Sequence, residues 1–239
     1  MPGSGSSPRV TLVVPSRMDL SDVSGRVLFP SPVQGPWLPF QRFADTTTSG
    51  GGDDPEGHAH SEEEVLNYIV AGRADYEDDA GRHSVLASGS LELLTAREET
   101  RHKLTGQPQA PGTRWLSVVV RFPRGVEGPS RRFQVVTELT TIPAGESVAV
   151  RFLVGPDTPA QSGTGLECDD VEFQGSGEYV RPLGGDRRAV AYVYEGTSSI
   201  EGHAIEAGVG ALIENSIKIS LRGKPGTRVL LASVPRMVL

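Results

Sequence analysis

The sequence has a single cysteine, few aromatic residues and no long apolar run. Cys168 is alone among 239 residues, which excludes an internal disulfide and zinc sites built from several thiolates. No stretch reaches the roughly 20 apolar residues that a transmembrane helix needs, and the first residues contain no apolar run of signal-peptide length. We therefore expect a cytoplasmic protein with no membrane partner.

Positive charge is also scarce. There are 23 Lys and Arg residues against 30 Asp and Glu residues, and the net charge is −7. General binding to nucleic acids or anionic membranes depends on a surplus of basic residues. We expect no direct nucleic-acid partner.

Turn-forming residues are abundant, with 29 glycines and 18 prolines. This content is too high for a helical bundle and is typical of short strands joined by many turns. The apolar runs are short, rich in β-branched residues and bounded by Gly, Pro, Asp or Ser. The predicted strands are residues 10–14, 66–70, 115–122, 133–139, 148–154, 189–194, 217–221 and 229–234. The pattern predicts an all-β chain, although the helix formers in 91–104 favour a helix there on propensity alone.

A weak internal repeat divides the chain. The segment Tyr68–Gly72 is followed by Gly89, and the segment Tyr192–Gly196 is followed by Gly208 in the same order. Two copies of a strand ending at a glycine turn indicate two related β-barrels, separated in the turn-rich stretch 124–131. The domains predicted are residues 1–128 and residues 129–239.

The chemistry-bearing residues concentrate after a glycine- and aspartate-rich loop at 46–57. His58 and His60 point to one face if they lie on a strand, so two imidazoles can converge on a divalent metal; two exposed histidines in a turn is the alternative. Glu64 shares their face if the strand is regular and is our candidate catalytic residue, as a general base or metal partner. The alternative is a solvated member of the acidic run 62–64.

The segment HAHSEEEVLNYIVAG, with a third histidine 42 residues after His60, resembles the two cupin motifs and, within them, the pirins and pirin-like quercetinases. The resemblance extends over nearly the whole chain. The residues that fall in the family's spacing are His58, His60, Glu64, Tyr68, Gly72, Asp78, Gly81, Gly89, Thr95, Ala96 and His102.

The resemblance implies an all-β bicupin: two antiparallel β-barrels of the double-stranded β-helix (jelly-roll) type, packed together. It implies strand and turn, not helix, for 91–104. It also implies one divalent transition metal in the N-terminal barrel, held by His58, His60 and His102. In the C-terminal barrel the repeat aligns Pro182 and Gly184 with the first two histidines, so we expect that barrel to be metal-free.

One departure concerns the ligands. The family's fourth ligand, a glutamate, corresponds here to Leu104, which cannot bind a metal. Three neutral imidazoles suit iron, our first expectation, and also nickel, copper, zinc or manganese. Compared with a site that includes a carboxylate, this set leaves more positive charge on the metal and favours an anionic substrate oxygen.

The resemblance implies a metal-dependent oxidoreductase, a quercetinase-like dioxygenase that acts on a small aromatic or enolic substrate. The sequence does not separate this from an isomerase or lyase. A different reading is a non-catalytic regulatory protein with a protein partner and a degenerate metal site, which Leu104 favours. We expect a monomer whose small-molecule site lies in the first barrel, with the 46–57 loop as a lid.

If the three histidines form one site, replacing His58, His60 or His102 singly with alanine should sharply lower the metal content per chain, because each change removes a ligand. His83→Ala and His203→Ala are the controls and should retain the metal. Elemental analysis of the five purified variants measures this directly. Equal metal content in all five would contradict the site.

Overall fold

The computed structural model describes residues 8–19, 23–30, 37–48, 57–110, 112–125, 128–184 and 186–236. Within these ranges the chain forms strands and turns and no α-helix, so none of the described residues belongs to a helix that could cross a membrane. The strands are β1 (Arg9–Val13), β2 (Ser16–Asp19), β3 (Val23–Phe29), β4 (Phe40–Thr48), β5 (His58–His60), β6 (Glu63–Ala71), β7 (Arg73–Asp78), β8 (His83–Ala87), β9 (Leu91–Ala96), β10 (Thr100–Gly106), β11 (Thr113–Arg121), β12 (Arg131–Val136), β13 (Thr141–Pro143), β14 (Val148–Val154), β15 (Glu167–Phe173), β16 (Gly177–Pro182), β17 (Arg187–Glu195), β18 (Thr197–Ile200), β19 (His203–Glu206), β20 (Val209–Glu214), β21 (Lys218–Gly223) and β22 (Thr227–Pro235).

The strands group into two units, and each unit has one seven-stranded and one four-stranded sheet. The first unit comprises Ser16–Leu139 and Pro159–Thr164; its sheets run β12-β9-β6-β11-β4-β3-β2 and β5-β10-β7-β8. The second unit comprises Met1–Pro15, Thr140–Thr158 and Gly165–Leu239; its sheets run β1-β20-β17-β22-β15-β14-β13 and β16-β21-β18-β19. Every pairing between these strands is antiparallel, and the predicted all-β fold of two antiparallel barrels is confirmed.

The units do not follow the sequence halves 1–128 and 129–239 at every point. The N-terminal strand β1 joins the sheet of the second unit through β20. Strand β12 and the segment Pro159–Thr164 belong to the first unit. Each unit thus includes a strand or segment from the other predicted domain.

The segment 91–104, whose composition favours a helix, forms strand, turn and strand as the family resemblance implied. All six side chains of β9 are buried, and Leu91, Leu93 and Leu94 have no exposed surface. Both faces of this strand are therefore covered, and this burial outweighs the local helix preference of leucine and glutamate. The turn between β9 and β10 holds Arg97, Glu98 and Glu99, of which the two glutamates are exposed.

The internal repeat is a repeated turn. Gly72 has φ +77°, and a side chain there would lie 2.5 Å from Thr113 Oγ1; Gly196 has φ +71°, and a side chain there would lie 2.8 Å from Thr227 Oγ1. Each threonine hydroxyl donates to the carbonyl of the residue after its glycine, at 2.9 Å for Arg73 and 2.8 Å in the second unit. Only glycine fits this combination of left-handed backbone and close approach.

The register identifies equivalent residues in the two units. Gly106 of β10 lies opposite the second residue after Gly72, and Gly223 of β21 lies opposite the second residue after Gly196. Gly106 and Gly223 are therefore equivalent. Residues at equal distances before them on β10 and β21 correspond as well.

This register corrects one sequence alignment. Four residues before the paired glycines stand His102, opposite His58, and Ile219, opposite Arg181. The position equivalent to His58 is therefore Arg181, and the expected Pro182 is wrong by one residue. The reason is that Gly72 follows His58 by 14 positions, whereas Gly196 follows Arg181 by 15 positions.

The same shift applies to the second position. The amide of Leu183 donates to the carbonyl of Ile217, at the place where His60 lies opposite Thr100. Leu183, and not Gly184, is thus equivalent to His60. Neither arginine nor leucine is a metal ligand in proteins under ordinary conditions.

Candidate metal centre

Two neighbouring strands of the four-stranded sheet bring three histidines together. Strand β5 pairs with β10 so that His58 lies directly opposite His102, while His60 lies two residues further along the same face. The ring centroids are 4.8 Å apart for His58–His60, 4.8 Å for His58–His102 and 5.1 Å for His60–His102. One ligand atom from each residue lies within 4.8 Å of the others, so the structure brings together all three predicted ligands.

A glycine immediately before β5 allows this approach. Gly57 has φ +74°, and a side chain there would lie 2.6 Å from the backbone carbonyl oxygen of His102. Arg101 Nη1 donates to the carbonyl oxygen of Gly57 at 2.9 Å. The short strand β5 is thus anchored to β10 at the level of the histidines.

A neighbouring carboxylate orients the second histidine. His60 Nδ1 lies 2.7 Å from Glu63 Oε2, and His60 is 8% exposed. With the Nδ1 proton donated to this carboxylate, Nε2 carries the lone pair that a metal needs. Nε2 is buried and has no hydrogen-bond partner among the described residues.

The third histidine is the most deeply buried of the three. His102 is 2% exposed, and its ring centroid lies 5.6 Å from that of Tyr76. Burial, together with the nearby rings of His60 and His58, lowers the pKa of His102 to about 3. The imidazole is therefore neutral at pH 7 and can act as a metal ligand.

A carboxylate that sequence analysis missed lies beside this ring. Glu92 of β9 has no exposed surface, and its Oε1 is 3.8 Å from His102 Nδ1. Burial raises the pKa of Glu92 to about 8. The sequence signal was a glutamate in the middle of an otherwise apolar strand, LELLTA, where a buried charge requires a reason.

The residues fit a divalent metal. Buried polar side chains in proteins are almost always hydrogen-bonded. Here His60 Nε2, His102 Nδ1, His102 Nε2 and Glu92 Oε1 are buried and lack hydrogen-bond partners among the described residues. A cluster of nitrogen and oxygen atoms with free lone pairs is the donor set that transition metals select.

A small cavity adjoins the histidines. Its volume is about 20 Å³, enough for one water-sized ligand. Polar and apolar side chains share its wall: Arg42, His58, His60, Val65, Asn67, Trp115, Ser117 and Val119. A broader concavity of about 620 Å³ lies in the second unit, lined mainly by residues of β18, β19 and β21.

The structure does not join Glu64 to this cluster. Glu64 is expected on the face of the histidines if the strand is regular, and this condition is not met, because the chain bends at Ser61 and Glu62 and Glu62 has φ +56°. Glu64 instead lies on β6, fully buried, in the other sheet of the unit. Its assignment as the catalytic residue stays a prediction without support from these contacts.

The carboxylate of Glu64 binds the segment Pro159–Thr164. It accepts hydrogen bonds from the amide of Gly163 at 2.9 Å, from Thr164 Oγ1 at 2.7 Å and from Ser162 Oγ. Thr95 Oγ1 adds a bond of 3.2 Å. Glu64 thus ties a distant part of the chain to the first unit.

Leu104 lies on the same face of β10 as His102 and packs into the core with Tyr76 and Trp115. Its equivalent in the second unit is Leu221, which is also buried in a core. His83 and His203 are exposed and lie outside the cluster. Of the predicted lid at 46–57, residues 49–56 lie outside the described residues.

Comparisons with known proteins agree with the fold. A family model described as Pirin matches residues 35–116. A pirin-like protein of Caulobacter vibrioides is 24% identical over 183 residues, which is 73% of this chain and 66% of that protein. A provisionally named quercetin 2,3-dioxygenase of Pseudomonas aeruginosa is 26% identical over 204 residues, again 66% of its length.

Solved structures share the fold across the chain. The bacterial pirin YhhW of Escherichia coli, crystallised with nickel(II), has a TM-score of 0.81 and 16% identity, covering 96% of this chain and 100% of that one. A quercetin 2,3-dioxygenase of Acinetobacter baumannii has a TM-score of 0.78 and 14% identity, covering 96% and 79%.

The two repeated β-units, with a histidine cluster on one four-stranded sheet, define a bicupin. Within that class, the family match and the curated relatives carry the narrower assignment. A Pirin model over residues 35–116 and curated relatives that are 24% and 26% identical support membership of the pirin family.

Replacing Glu64 with glutamine should destabilise the fold without removing the metal. The charge that accepts these buried hydrogen bonds is lost, which costs about 2 kcal/mol of unfolding free energy. Denaturant unfolding measures the change, with Glu99→Gln at an exposed turn position as the matched control. A stability equal to the control, or a loss of metal in Glu64→Gln, would contradict the assigned structural role.

The metal-free protein should lose stability as the pH falls below 6.5. Because burial lowers the pKa of His102 in the folded state, the unfolded state binds the proton first; stability is full above 6.5 and declines toward a pH of about 3. The slope from this group reaches about 1.4 kcal/mol per pH unit. For the chelator-treated protein, the free energy of unfolding, measured with denaturant, should fall more steeply with decreasing pH than it does for His102→Gln. His83→Gln should show the same pH dependence as the unaltered protein. The same pH dependence in all three proteins would contradict the predicted contribution of His102.

Proposed function

We propose that this protein binds one divalent transition metal through His58, His60 and His102 and uses it to oxidise a small aromatic or enolic substrate with dioxygen. The observation that carries the proposal is the convergence of three imidazoles, two buried and that of His58 half-buried, whose ligand atoms lie within 4.8 Å of one another. The ring nitrogens of a buried structural histidine are ordinarily hydrogen-bonded. Neither ring nitrogen of His102 has a hydrogen-bond partner among the described residues, and such a ring in a cluster of three suits a metal.

Iron is the metal we propose, because imidazole ligands with open positions suit iron in dioxygen chemistry. The E. coli neighbour was crystallised with nickel(II), and the donor set here suits that ion too. A bound divalent ion supplies a Lewis acid that stabilises negative charge on a phenolic or enolic oxygen.

The protein contributes orientation, charge and exclusion of water. Glu63 holds the His60 ring through Nδ1 and keeps Nε2 free for the ion. Arg42 in the cavity wall offers a positive charge to an anionic substrate oxygen. The apolar side chains of Val65, Trp115 and Val119 in the same wall limit the access of water.

The cavity of about 20 Å³ constrains how a substrate approaches. An aromatic ring system does not fit into this volume, whereas a single oxygen atom does. We therefore propose that the substrate's reacting oxygen enters beside His58 and His60 and that its ring stays outside the cavity.

A regulatory protein is the second candidate function. It is favoured by Leu104, which lies where the family resemblance places an anionic ligand and instead packs in the core. In that case the barrels would present a surface to a protein partner. The cytoplasmic location and the monomeric state stay predictions for either function.

The experiment is oxygen consumption with a flavonol substrate by protein loaded with Fe(II) or Ni(II). We expect metal-dependent consumption that falls by at least about tenfold in His58→Ala, since loss of one ligand disturbs the ion on which the reaction depends. His203→Ala on the exposed surface is the control. Stoichiometric, histidine-dependent metal without oxygen consumption would favour the regulatory alternative.

A further inference from the structure

Glu92 is a buried acid that the proposed mechanism has not used. It has no exposed surface, and its Oε1 has no hydrogen-bond partner among the described residues. His102 Nδ1 lies 3.8 Å from this oxygen and likewise has no hydrogen-bond partner among the described residues. An unpaired buried carboxylate is costly, and such groups are ordinarily paired with a cation or coordinated to a metal.

The other oxygen of this carboxylate is fixed in place. Asn67 Nδ2 donates to Glu92 Oε2 at 2.9 Å, and Asn67 Oδ1 accepts from Ser117 Oγ at 2.6 Å. The three side chains come from paired positions on β9, β6 and β11. This chain of hydrogen bonds leaves Oε1 directed toward the His102 side of the carboxylate.

The second unit shows that the fold does not need this polar group. The register aligns Asn67 with Ala191, because each precedes its repeat tyrosine by one residue. Ala191 pairs with Ala211 and Leu231, which are therefore equivalent to Glu92 and Ser117. All three residues of the second unit belong to its apolar core.

The polar trio therefore occurs in the unit with the histidine cluster, where the other unit has an apolar core. A structural explanation would require the trio in both copies of the fold. An apolar set of similar volume is ordinarily at least as stable as a buried charge. The difference between the units points to a ligand for Glu92.

The separation of Oε1 from Nδ1 suits two ligands of one ion better than a direct hydrogen bond. A hydrogen bond needs about 2.7–3.2 Å. Two ligand atoms bound tetrahedrally at about 2.1 Å from one metal lie about 3.4 Å apart. The observed 3.8 Å is closer to the second value, so a small side-chain adjustment is sufficient.

We infer that Glu92 is the fourth protein ligand of the metal site and that the carboxylate missing at Leu104 on β10 is supplied from β9. The inference rests on the proposed binding of metal by the three histidines. It makes the site a three-histidine, one-carboxylate centre with one negative charge. This replaces the neutral centre expected from sequence.

Cobalt(II) binding to the full chain tests the assignment, because the visible spectrum of cobalt(II) reports the number and type of its ligands. Metal-free protein and Glu92→Gln are titrated with cobalt(II) at pH 7. We expect the dissociation constant of Glu92→Gln to rise by at least about tenfold and its cobalt spectrum to change, because an anionic oxygen ligand is lost. Glu99→Gln, the same change at an exposed turn position, should match the unaltered protein in both measurements.

The outcomes separate this inference from the proposed function. If the unaltered protein binds no cobalt, or binds it equally after His58→Ala, the proposed metal site fails. If binding depends on the histidines but Glu92→Gln has the same affinity and spectrum, only the role of Glu92 is overturned. Weaker binding with an unchanged spectrum would also overturn it, because Glu92 would then act only by orienting His102.

A second variant covers the case in which Glu92→Gln does not fold. Glu92→Asp keeps the charge but withdraws the carboxylate by one methylene, so a ligand at Oε1 no longer reaches the ion. We expect a changed cobalt spectrum and weaker binding here too. Unchanged values in Glu92→Asp would overturn the assignment.

Discussion

The pairing of β5 with β10 is the contact on which the site depends. Strand β5 has three residues, too few to be stable alone, and its position comes from the hydrogen bonds that set His58 opposite His102. Gly57 permits the close approach because any side chain would collide with the His102 carbonyl. A slip of one residue would turn both histidines of β5 to the other face, so the register decides whether a ligand cluster exists.

Acidic side chains lie beside the histidine cluster, and an ion pair lies next to them. Glu63 contacts His60 and Glu92 lies beside His102, so acidic groups accompany two of the three imidazoles. Beyond them, Asp78 lies opposite His102 in the register and forms an ion pair with Arg131 at 3.0 Å. Burial keeps the imidazole of His102 neutral and able to bind a divalent cation, and the acidic groups beside the rings complement the charge of that cation.

The repeat gives an internal comparison between two uses of one scaffold. Both units keep the glycine turn, the threonine that closes it and the leucine at the position of Leu104 or Leu221. They differ where chemistry is possible: the positions of the histidines and of Glu92 carry arginine, leucine, isoleucine and alanine in the second unit. Fold-determining and site-determining residues are therefore separate in this protein.

The sequence by itself determined the all-β class, the repeat and the pair His58 and His60, because alternation, glycine turns and His-x-His spacing are local patterns that strand geometry translates directly. The resemblance to the pirins added His102. It did not determine the carboxylates. Glu64 was selected on the assumption of an unbroken strand, and the bend at Glu62 moved it to another sheet. Glu92 lies on β9 and His102 on β10, in different sheets of the unit, so only the tertiary structure placed the two side by side. Contacts between sheets depend on the packing of the whole unit, and no spacing within one strand encodes them.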